Sequence, residues 1–368
     1  PPPRHGMSSA FEILVNGFGD QNIPHKVINA SPGKHKRKVG SFSFIRLLQS
    51  IVYLFRAIFW TPFHDNIYLI VAITRIGFFK DLPILLWASL LRKHLVVQMH
   101  SGNFANFYRN ETKWIQWLIH YSYSRISDLV IEDSSFTEQF ITFTDRGMKI
   151  HAVLNCLPSN VPELCDYQKR YDGQIPKLLY LSNLFESKGY LDVLSAVKIL
   201  VYEYGKNVEA HFCGGFHPQI KDGKVISNEE QEQIFCSRIK EYGLDSHVIY
   251  HSFVDNKEKT DLLIDSHIMI LPTYYELEGQ PISLIEGLAY QLPLIATEYR
   301  GIKSEIIPGY NGLFVPPRSP HSIADAVEKI ISSVETYTHY SQHSRELFNK
   351  HFHKDVRLSR LIPIIIGD

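Results

Sequence analysis

The sequence predicts an α/β protein built from two domains, each with an open parallel sheet. The chain has 368 residues, which is long for a single hydrophobic core. Short apolar runs alternate with helical patterns, as they do in βαβ units. A stretch rich in Pro, Asp, Tyr and Gln, residues 158–176, separates two series of such runs. We therefore expect two Rossmann-like domains facing a cleft, with ligands at the carboxyl ends of the strands.

Each series predicts its own set of strands. In the first series we expect strands at residues 67–73, 95–99, 129–131 and 152–154, with helices at 82–92 and 112–124. In the second we expect strands at residues 177–181, 208–213, 248–251, 268–271, 293–296 and 312–315. The opening stretch PPPRHGMSSAFEILV has no strand before it, so we expect a short first strand to precede this numbering.

The domain boundaries follow from the two series. We expect an N-terminal domain at residues 1–160, a linker at 161–176, a C-terminal domain at 177–345 and a final segment at 346–368. Within that segment, residues 351–366 are basic and then apolar. This pattern predicts a helix that packs back on the first domain.

Composition and charge exclude some classes of protein. Hydrophobic residues make up 45% and charged residues 21% of the chain, which is ordinary for a globular protein. The formal net charge is zero, which argues against a general nucleic-acid binder. The first 156 residues hold 17 Lys and Arg against 10 Asp and Glu, so they carry +7 and the remainder −7. This asymmetry predicts two domains that meet different partners.

The cysteines indicate a reduced environment. Cys156, Cys165, Cys213 and Cys236 form no CxxC pair, and their spacing suits neither a zinc site nor a disulfide framework. We expect a cytoplasmic location, with no signal peptide. The apolar run at residues 82–91 is about half the roughly 20 residues that a membrane-spanning helix needs. The sequence therefore predicts a soluble or peripheral protein.

The most informative stretch is EGQPISLIEGLA, residues 278–289, which places Glu278 and Glu286 eight positions apart. Pro281 suits the first turn of a helix, and the N–H groups that follow it would form an anion site suited to a diphosphate. Gly279 would let a ligand approach the backbone closely. Glu286 is placed to accept hydrogen bonds from ribose hydroxyls, and Glu278 to reach a sugar. The alternative is a surface loop with a helix-start acid and a solvated glutamate.

The surrounding sequence resembles a known family. The stretches ILPTYYE, EGQPISLIEGLAYQLPLIAT and YRGIKSEIIPGYNGLFVPP look like the large group of retaining GT-B glycosyltransferases of group 1, or family 4, type. The resemblance implies that Glu278 contacts the donor hexose, that Glu286 binds the ribose, and that amides near Ser283 and Leu284 hold the diphosphate. It also implies that no cofactor and no catalytic metal are needed, and the chain has no Asp-x-Asp.

The resemblance extends to two further motifs. In LSNLFESKGYLDVL, residues 181–194, Lys188 matches a lysine that faces the diphosphate, whereas Asn183 stands where the family has an arginine. Two cations would offset the charge of the leaving diphosphate better than one. In VVQMHSGNF, His100 ends a strand, and the resemblance implies a place near the donor sugar and the reacting centre. The alternative for His100 is a satisfied core histidine.

Three glycine-containing or loop motifs resemble other parts of the family's nucleotide site. Gly6, in PPPRHGMSSAF, matches a loop that follows the first strand and faces the donor phosphate. Gly214, in HFCGGF, matches a glycine pair that borders the nucleotide. Phe253 and Val254, in HSFVDNKEK, match the loop whose backbone meets the base. Asn155 matches an asparagine before the linker, where we expect local hydrogen bonding. For the glycines, plain turns are the alternative.

A basic run predicts a second surface. GKHKRK, residues 33–38, is followed by further arginines interleaved with aromatic residues. One interpretation is a solvated loop beside core aromatics. The other is a surface for anionic lipid or for a polyprenyl-diphosphate-linked acceptor, on the inner leaflet of the plasma membrane.

Taken together, the motifs predict a retaining hexosyltransferase. It would move a sugar from a nucleotide-diphosphate donor to a glycan or lipid-linked glycan in bacterial polysaccharide or lipopolysaccharide biosynthesis. Glu278, Lys188 and His100 are the expected catalytic residues. The alternatives are a non-catalytic sugar-nucleotide-binding protein, which Asn183 favours, and a GT-B epimerase or phosphorylase.

Overall fold

The computed structural model describes residues 6–29, 44–100, 102–157, 169, 171–221 and 224–368. Contacts divide the chain into two compact units. Unit 1 comprises Pro1–Asn160 and Phe352–Asp368, and unit 2 comprises Val161–His351.

Unit 1 is a parallel four-stranded sheet flanked by helices. Its strands follow in chain order, β1-β2-β3-β4, at Asn66–Val71, His94–Met99, Asp128–Ile131 and Lys149–Ala152. Its helices are α1 (Gly6–Asp20), α2 (Phe44–Trp60), α3 (Arg75–Leu90), α4 (Phe104–Asn110), α5 (Lys113–Tyr123) and α12 (Lys354–Ile366), with 3-10 turns at Thr61–Phe63 and Ser134–Arg146. Leu95, Val97 and Leu129 are fully buried on one side of the sheet, because a parallel sheet is covered on both faces.

Unit 2 has a parallel six-stranded sheet in the order β12-β11-β10-β5-β6-β9. These strands are β5 (Lys177–Leu181), β6 (Glu209–Cys213), β9 (Val248–Ser252), β10 (Ile268–Leu271), β11 (Leu294–Thr297) and β12 (Gly312–Val315). An antiparallel hairpin adds β7 (Gln219–Lys221) and β8 (Lys224–Ile226). The helices are α6 (Tyr190–Tyr202), α7 (Asn228–Glu241), α8 (Asn256–Asp265), α9 (Ile282–Ala289), α10 (Pro320–Ile330) and α11 (Val334–Leu347), with a 3-10 turn at Arg300–Ser304 and a π-helical turn at Phe348–Phe352.

Helix α12 belongs to unit 1 although it ends the sequence. Leu361 and Ile365 are buried with Leu14 of α1 and with Val96 and Val130 of the sheet. The Arg357 guanidinium, itself buried, donates to the Leu154 carbonyl at 2.6 Å. The final helix thus completes the second face of the unit 1 sheet.

The predicted fold class, with two parallel sheets, is confirmed. The strands of the second series lie within a residue or so of their predicted positions. The last strand of the first series was predicted wrongly: β4 lies at Lys149–Ala152, not at 152–154, because it pairs in register with β3 and the carbonyls after it bond to Arg357. Helix α3 starts at Arg75 rather than 82, where the Thr74 hydroxyl caps it by accepting from the Gly77 N–H at 3.1 Å.

Candidate functional site in unit 2

The carboxyl ends of β10, β5 and β6 form one edge of the unit 2 sheet, because these parallel strands are neighbours. Lys188 lies on a 3-10 turn, Glu186–Lys188, just after β5. Gly214 directly follows β6, and Glu278 lies on the loop after β10. The fold therefore gathers at this edge three residues that the sequence predicted separately.

Glu278 is held by two partners and is 7% exposed. The Thr273 hydroxyl donates to its Oε2 at 2.9 Å. Lys188 Nζ lies 3.4 Å from Oε2 and 3.5 Å from Oε1. The same Nζ is 5.4 Å from the centre of the Tyr275 ring, within the range of a cation–π contact. Lys188 and Glu278 thus form an ion pair at this edge of the sheet, with the Lys188 side chain 15% exposed.

Helix α9 begins at Ile282, and Pro281 precedes it in an extended conformation without a capping side chain. The start of a helix leaves N–H groups without intrahelical partners. Of the two amides that the sequence predicted as diphosphate donors, the Leu284 N–H bonds back to the Pro281 carbonyl at 3.1 Å. Its side chain is fully buried. The amides of Ile282 and Ser283 are therefore the better donors, and the expectation for Leu284 is corrected.

Glu286 lies in the second turn of α9 and pairs with Lys259 of α8 at 2.6 Å. The Glu286 side chain is only 17% exposed. Burial raises the pKa of Glu286, and the Lys259 ammonium opposes that shift. Sequence reasoning missed Lys259, although it lies in the quoted HSFVDNKEK stretch; the Asp255 carboxylate that caps α8 was the available signal for a helix there.

The glycine pair after β6 has a packing role. Gly214 has φ +141°, and a Cβ there would overlap the Ser182 carbonyl oxygen. A Cβ on Gly215 would overlap the Phe253 ring, which lies against it and is 72% exposed. Val254 beside it is half-buried. The glycines therefore bring the loop after β9 close to the edge where Lys188 lies.

Asn183 and Gly279 are two further residues that the sequence predicted at the site. The Asn183 side chain is exposed, and the Asn183 carbonyl accepts from the Phe185 N–H at 3.0 Å. Gly301 packs against the Gly279 backbone, since a Cβ on Gly301 would lie 2.6 Å from the Gly279 carbonyl oxygen, and the ligand approach expected at Gly279 stays a prediction.

His100 belongs to unit 1 and lies at the carboxyl end of β2. Its Nδ1 is 2.7 Å from Glu132 Oε1, and Asn155 Nδ2 donates to the same oxygen at 2.9 Å. Within the part of the chain that the structure describes, His100 Nε2 is buried and has no hydrogen-bond partner. Sequence reasoning missed Glu132, which directly follows β3, a carboxylate at the end of a buried strand. The local bonding expected for Asn155 is present.

The remaining expectations concern the start of the chain. Gly6, expected on a loop, is the first residue of α1, and its place near the donor phosphate stays a prediction. The basic run 33–38 lies outside the described residues.

Among the helices described, none is both long and apolar enough to cross a bilayer. In the same ranges, no cluster of three His, Cys, Asp or Glu side chains could hold a metal ion.

The chain is similar to known proteins in both sequence and fold. Residues 168–347 match the family model of glycosyl transferases group 1. The D-rhamnosyltransferase WbpZ of Pseudomonas aeruginosa is 39% identical over 75 residues, which is 20% of this chain and 20% of WbpZ. The uncharacterized glycosyltransferase MJ1069 of Methanocaldococcus jannaschii is 19% identical over 81% of this chain and 76% of its own length.

Among solved structures, HepE of Anabaena in complex with UDP superposes with a TM-score of 0.68 at 13% identity. The superposition covers 96% of this chain and 89% of HepE, which indicates a shared fold. Residues 168–347 therefore belong to the group 1 glycosyl transferases, and the two parallel-sheet units have the GT-B fold.

Proposed function

We propose that this protein transfers a sugar, with retention, from a nucleoside-diphosphate sugar to a glycan or lipid-linked glycan. The observation that carries the proposal is the pair of glutamates on either side of the α9 start, each beside a lysine from another element. The Glu278–Lys188 pair would bind the sugar, and the Glu286–Lys259 pair would bind the ribose. The helix start between them would meet the diphosphate.

Lys188 and the Ile282 and Ser283 amides would stabilise the charge that develops on the leaving diphosphate. Glu278 would accept hydrogen bonds from donor sugar hydroxyls, and Glu286 from the ribose. The Glu132 bond to Nδ1 orients His100, whose Nε2 would serve near the reacting centre. The acceptor would attack from the face of the leaving group, with a donor phosphate oxygen accepting its proton.

The donor base and the process follow by analogy. HepE was solved with UDP, so uridine nucleotides are the first ones to test. WbpZ is named a D-rhamnosyltransferase, which supports sugar transfer here, and the process that we propose for it is surface polysaccharide or lipopolysaccharide assembly.

Calorimetry with UDP, GDP and ADP tests the nucleotide site. Glu286→Ala should weaken binding of the preferred nucleotide by about 1.5–3 kcal/mol, because it removes hydrogen bonds to a charged group. Glu328→Ala is the matched control, since Glu328 pairs with Lys206 at 3.0 Å elsewhere in unit 2. Unchanged affinity in a folded Glu286→Ala protein would contradict the ribose assignment.

The products of the reaction test the alternative functions. Binding of UDP-sugars without hydrolysis or transfer would favour the non-catalytic alternative. Release of an epimer or of a sugar phosphate would favour the epimerase or the phosphorylase alternative.

The proposed charge stabilisation uses a lysine and backbone amides. Donor hydrolysis should therefore persist in EDTA. Loss of activity with the chelator, restored by Mg²⁺ or Mn²⁺, would show that the assignment of this role to Lys188 is incomplete.

We also propose that helix α2 attaches unit 1 to an anionic membrane surface. Leu48, Val52, Phe55 and Phe59 repeat at helical spacing, and all are exposed; Phe55 is 71% and Phe59 62% exposed. Between residues 21 and 64 the sequence has no Asp or Glu, but it has Lys26, Lys34, Lys36, Arg37, Lys38, Arg46 and Arg56. An apolar helix face amid cations is typical of an interfacial helix.

Flotation with phosphatidylserine liposomes tests this attachment. Binding should fall with salt, since each cation contributes roughly 1 kcal/mol near an anionic surface. Replacing Lys34, Lys36, Arg37 and Lys38 with Ser should release the protein while donor hydrolysis persists. Phe55→Ser with Phe59→Ser should release it too, whereas the control Ile141→Ser, at another exposed apolar position in unit 1, should not. Failure of the wild type to float at low salt would favour a soluble acceptor.

A further inference from the structure

An aromatic stack leads from the Lys188–Glu278 pair to a histidine with no assigned role. The Phe185 ring stacks on the His217 ring, with centroids 4.8 Å apart and planes at 11°. Phe185 also stacks on Tyr275, at 5.3 Å and 9°. Lys188 Nζ faces that same Tyr275 ring. The stack therefore places an imidazole at the edge of the sheet where the donor diphosphate is proposed to bind.

The backbone that carries His217 is fixed. The Leu184 N–H donates to the Gly215 carbonyl at 2.9 Å, and Leu184 forms an isolated bridge with Phe216. Gln231 of α7 donates through Nε2 to the His217 carbonyl at 2.5 Å. Among the described residues, neither ring nitrogen of His217 has a hydrogen-bond partner, and the side chain is only half-buried. The main chain is thus held while the ring nitrogens remain available to a ligand.

The charges around His217 keep it neutral in the free protein. Burial lowers the pKa of His217, and the nearby Lys188 ammonium lowers it further. Phe185 and Gln231 are uncharged, and burial raises the pKa of Tyr275, so that phenol stays protonated. Glu278 forms an ion pair with Lys188. A bound diphosphate would add negative charge beside Lys188. That charge would raise the pKa of the His217 imidazole.

We propose that His217 is a second phosphate-binding group of the donor site and takes up a proton from solvent when a nucleoside diphosphate binds. The inference rests on the proposed function. Asn183, two residues before Phe185, is exposed and uncharged, so it leaves Lys188 as the cation that this turn contributes. Protonated His217 would supply a further positive charge to the diphosphate only while the ligand is bound.

Calorimetry in buffers of different ionisation enthalpy tests proton uptake. With UDP, GDP or ADP near pH 7.5, the wild type should take up a measurable fraction of a proton, and His217→Gln should lose that uptake. The affinity of the wild type should fall as pH rises from 6 to 8.5, because the free imidazole becomes harder to protonate. His217→Gln should bind roughly ten- to a hundredfold more weakly at pH 6, the loss of one charged hydrogen bond, and nearly as well as the wild type at pH 8.5.

Three variants separate charge from packing. His217→Phe keeps a ring in the stack and should behave like His217→Gln in proton uptake. Adding Asn183→Arg to His217→Gln should restore affinity without the pH dependence. His321→Gln, at an exposed histidine of α10, should change nothing. Unchanged proton uptake in a His217→Gln protein that still binds nucleotide would overturn the inference alone, whereas absence of binding to all three nucleotides in the wild type would overturn the proposed function with it.

Discussion

The two ends of the unit 2 sheet use the same kinds of side chain differently. At the amino end, Lys177 Nζ lies 2.5 Å from Asp265 and 3.8 Å from Glu209. Its backbone N–H donates to His267 Nδ1 at 3.0 Å, and the Tyr337 hydroxyl donates to the His267 carbonyl at 3.1 Å. These bonds connect β5, β6 and the start of β10 to helices α8 and α11, and so stabilise the fold of unit 2.

At the carboxyl end the arrangement is more open. Lys188 lies 3.4 Å from Glu278. The side chains of Asn183 and Phe253 are exposed, and within the described residues neither ring nitrogen of His217 has a hydrogen bond. At this end the Lys188–Glu278 pair is long, whereas the Lys177–Asp265 pair at the amino end is short. The difference indicates that amino-end substitutions should reduce stability, and carboxyl-end substitutions activity.

The largest expected effect is at the carboxyl end. Lys188→Met should lower the rate of donor hydrolysis or transfer by about 10²–10³, equivalent to roughly 2.7–4 kcal/mol, because it removes charge stabilisation of the leaving group. Stopped assays of product release under saturating donor measure this change. The control is Lys206→Met, which removes a surface lysine–glutamate pair of unit 2 and should keep full activity. Equal losses of rate in Lys188→Met and Lys206→Met would contradict a special role for the carboxyl end of the sheet.

The next effect is a pH dependence at the amino end. Burial, together with Lys169, lowers the pKa of His267 to about 4, and its Nδ1 already accepts the Lys177 N–H. The folded state therefore binds fewer protons than the unfolded state between about pH 6.5 and 4, so stability is lost as pH falls through that window. Allowing for partial exposure, the loss should be about 2–3 kcal/mol.

Urea unfolding of the wild type and of His267→Asn at several pH values measures that loss. Asparagine retains an acceptor for the Lys177 N–H but does not titrate. The difference between the two proteins should grow on acidification, while nucleotide affinity at neutral pH stays the same. If the free energies of unfolding of the two proteins changed equally with pH, His267 would not be the cause of the acid sensitivity.

The smallest effect isolates one hydrogen bond. Tyr337 is fully buried, and Tyr337→Phe should cost about 1–2 kcal/mol, since the partly buried His267 carbonyl loses its donor. Tyr202→Phe is the matched control: its hydroxyl donates to the Gly243 carbonyl at 2.8 Å, but the side chain is 58% exposed, so water can replace the bond. Chemical denaturation should rank the two, with donor hydrolysis unchanged in both. A larger loss in Tyr202→Phe would contradict the role of burial.

The sequence by itself determined the two parallel sheets and the neighbourhood of the site. Alternating apolar runs and helical patterns are local signals, and so are the Pro281 helix start and the spacing of Glu278 and Glu286. The displaced strand β4 and the early start of α3 show where local periodicity is insufficient, because register with β3 and the Thr74 cap fixed those boundaries.

Only the tertiary structure decided which groups bind one another. Lys188 meets Glu278 from 90 residues away, Lys259 meets Glu286 from 27, and His100 meets Glu132 from 32. Each partner reaches its place because parallel crossovers return successive strands to the same edge of a sheet, so distant segments end together. Composition and spacing name candidate residues, but burial and strand order assign their partners, and those partners set the charge that each residue presents to a ligand.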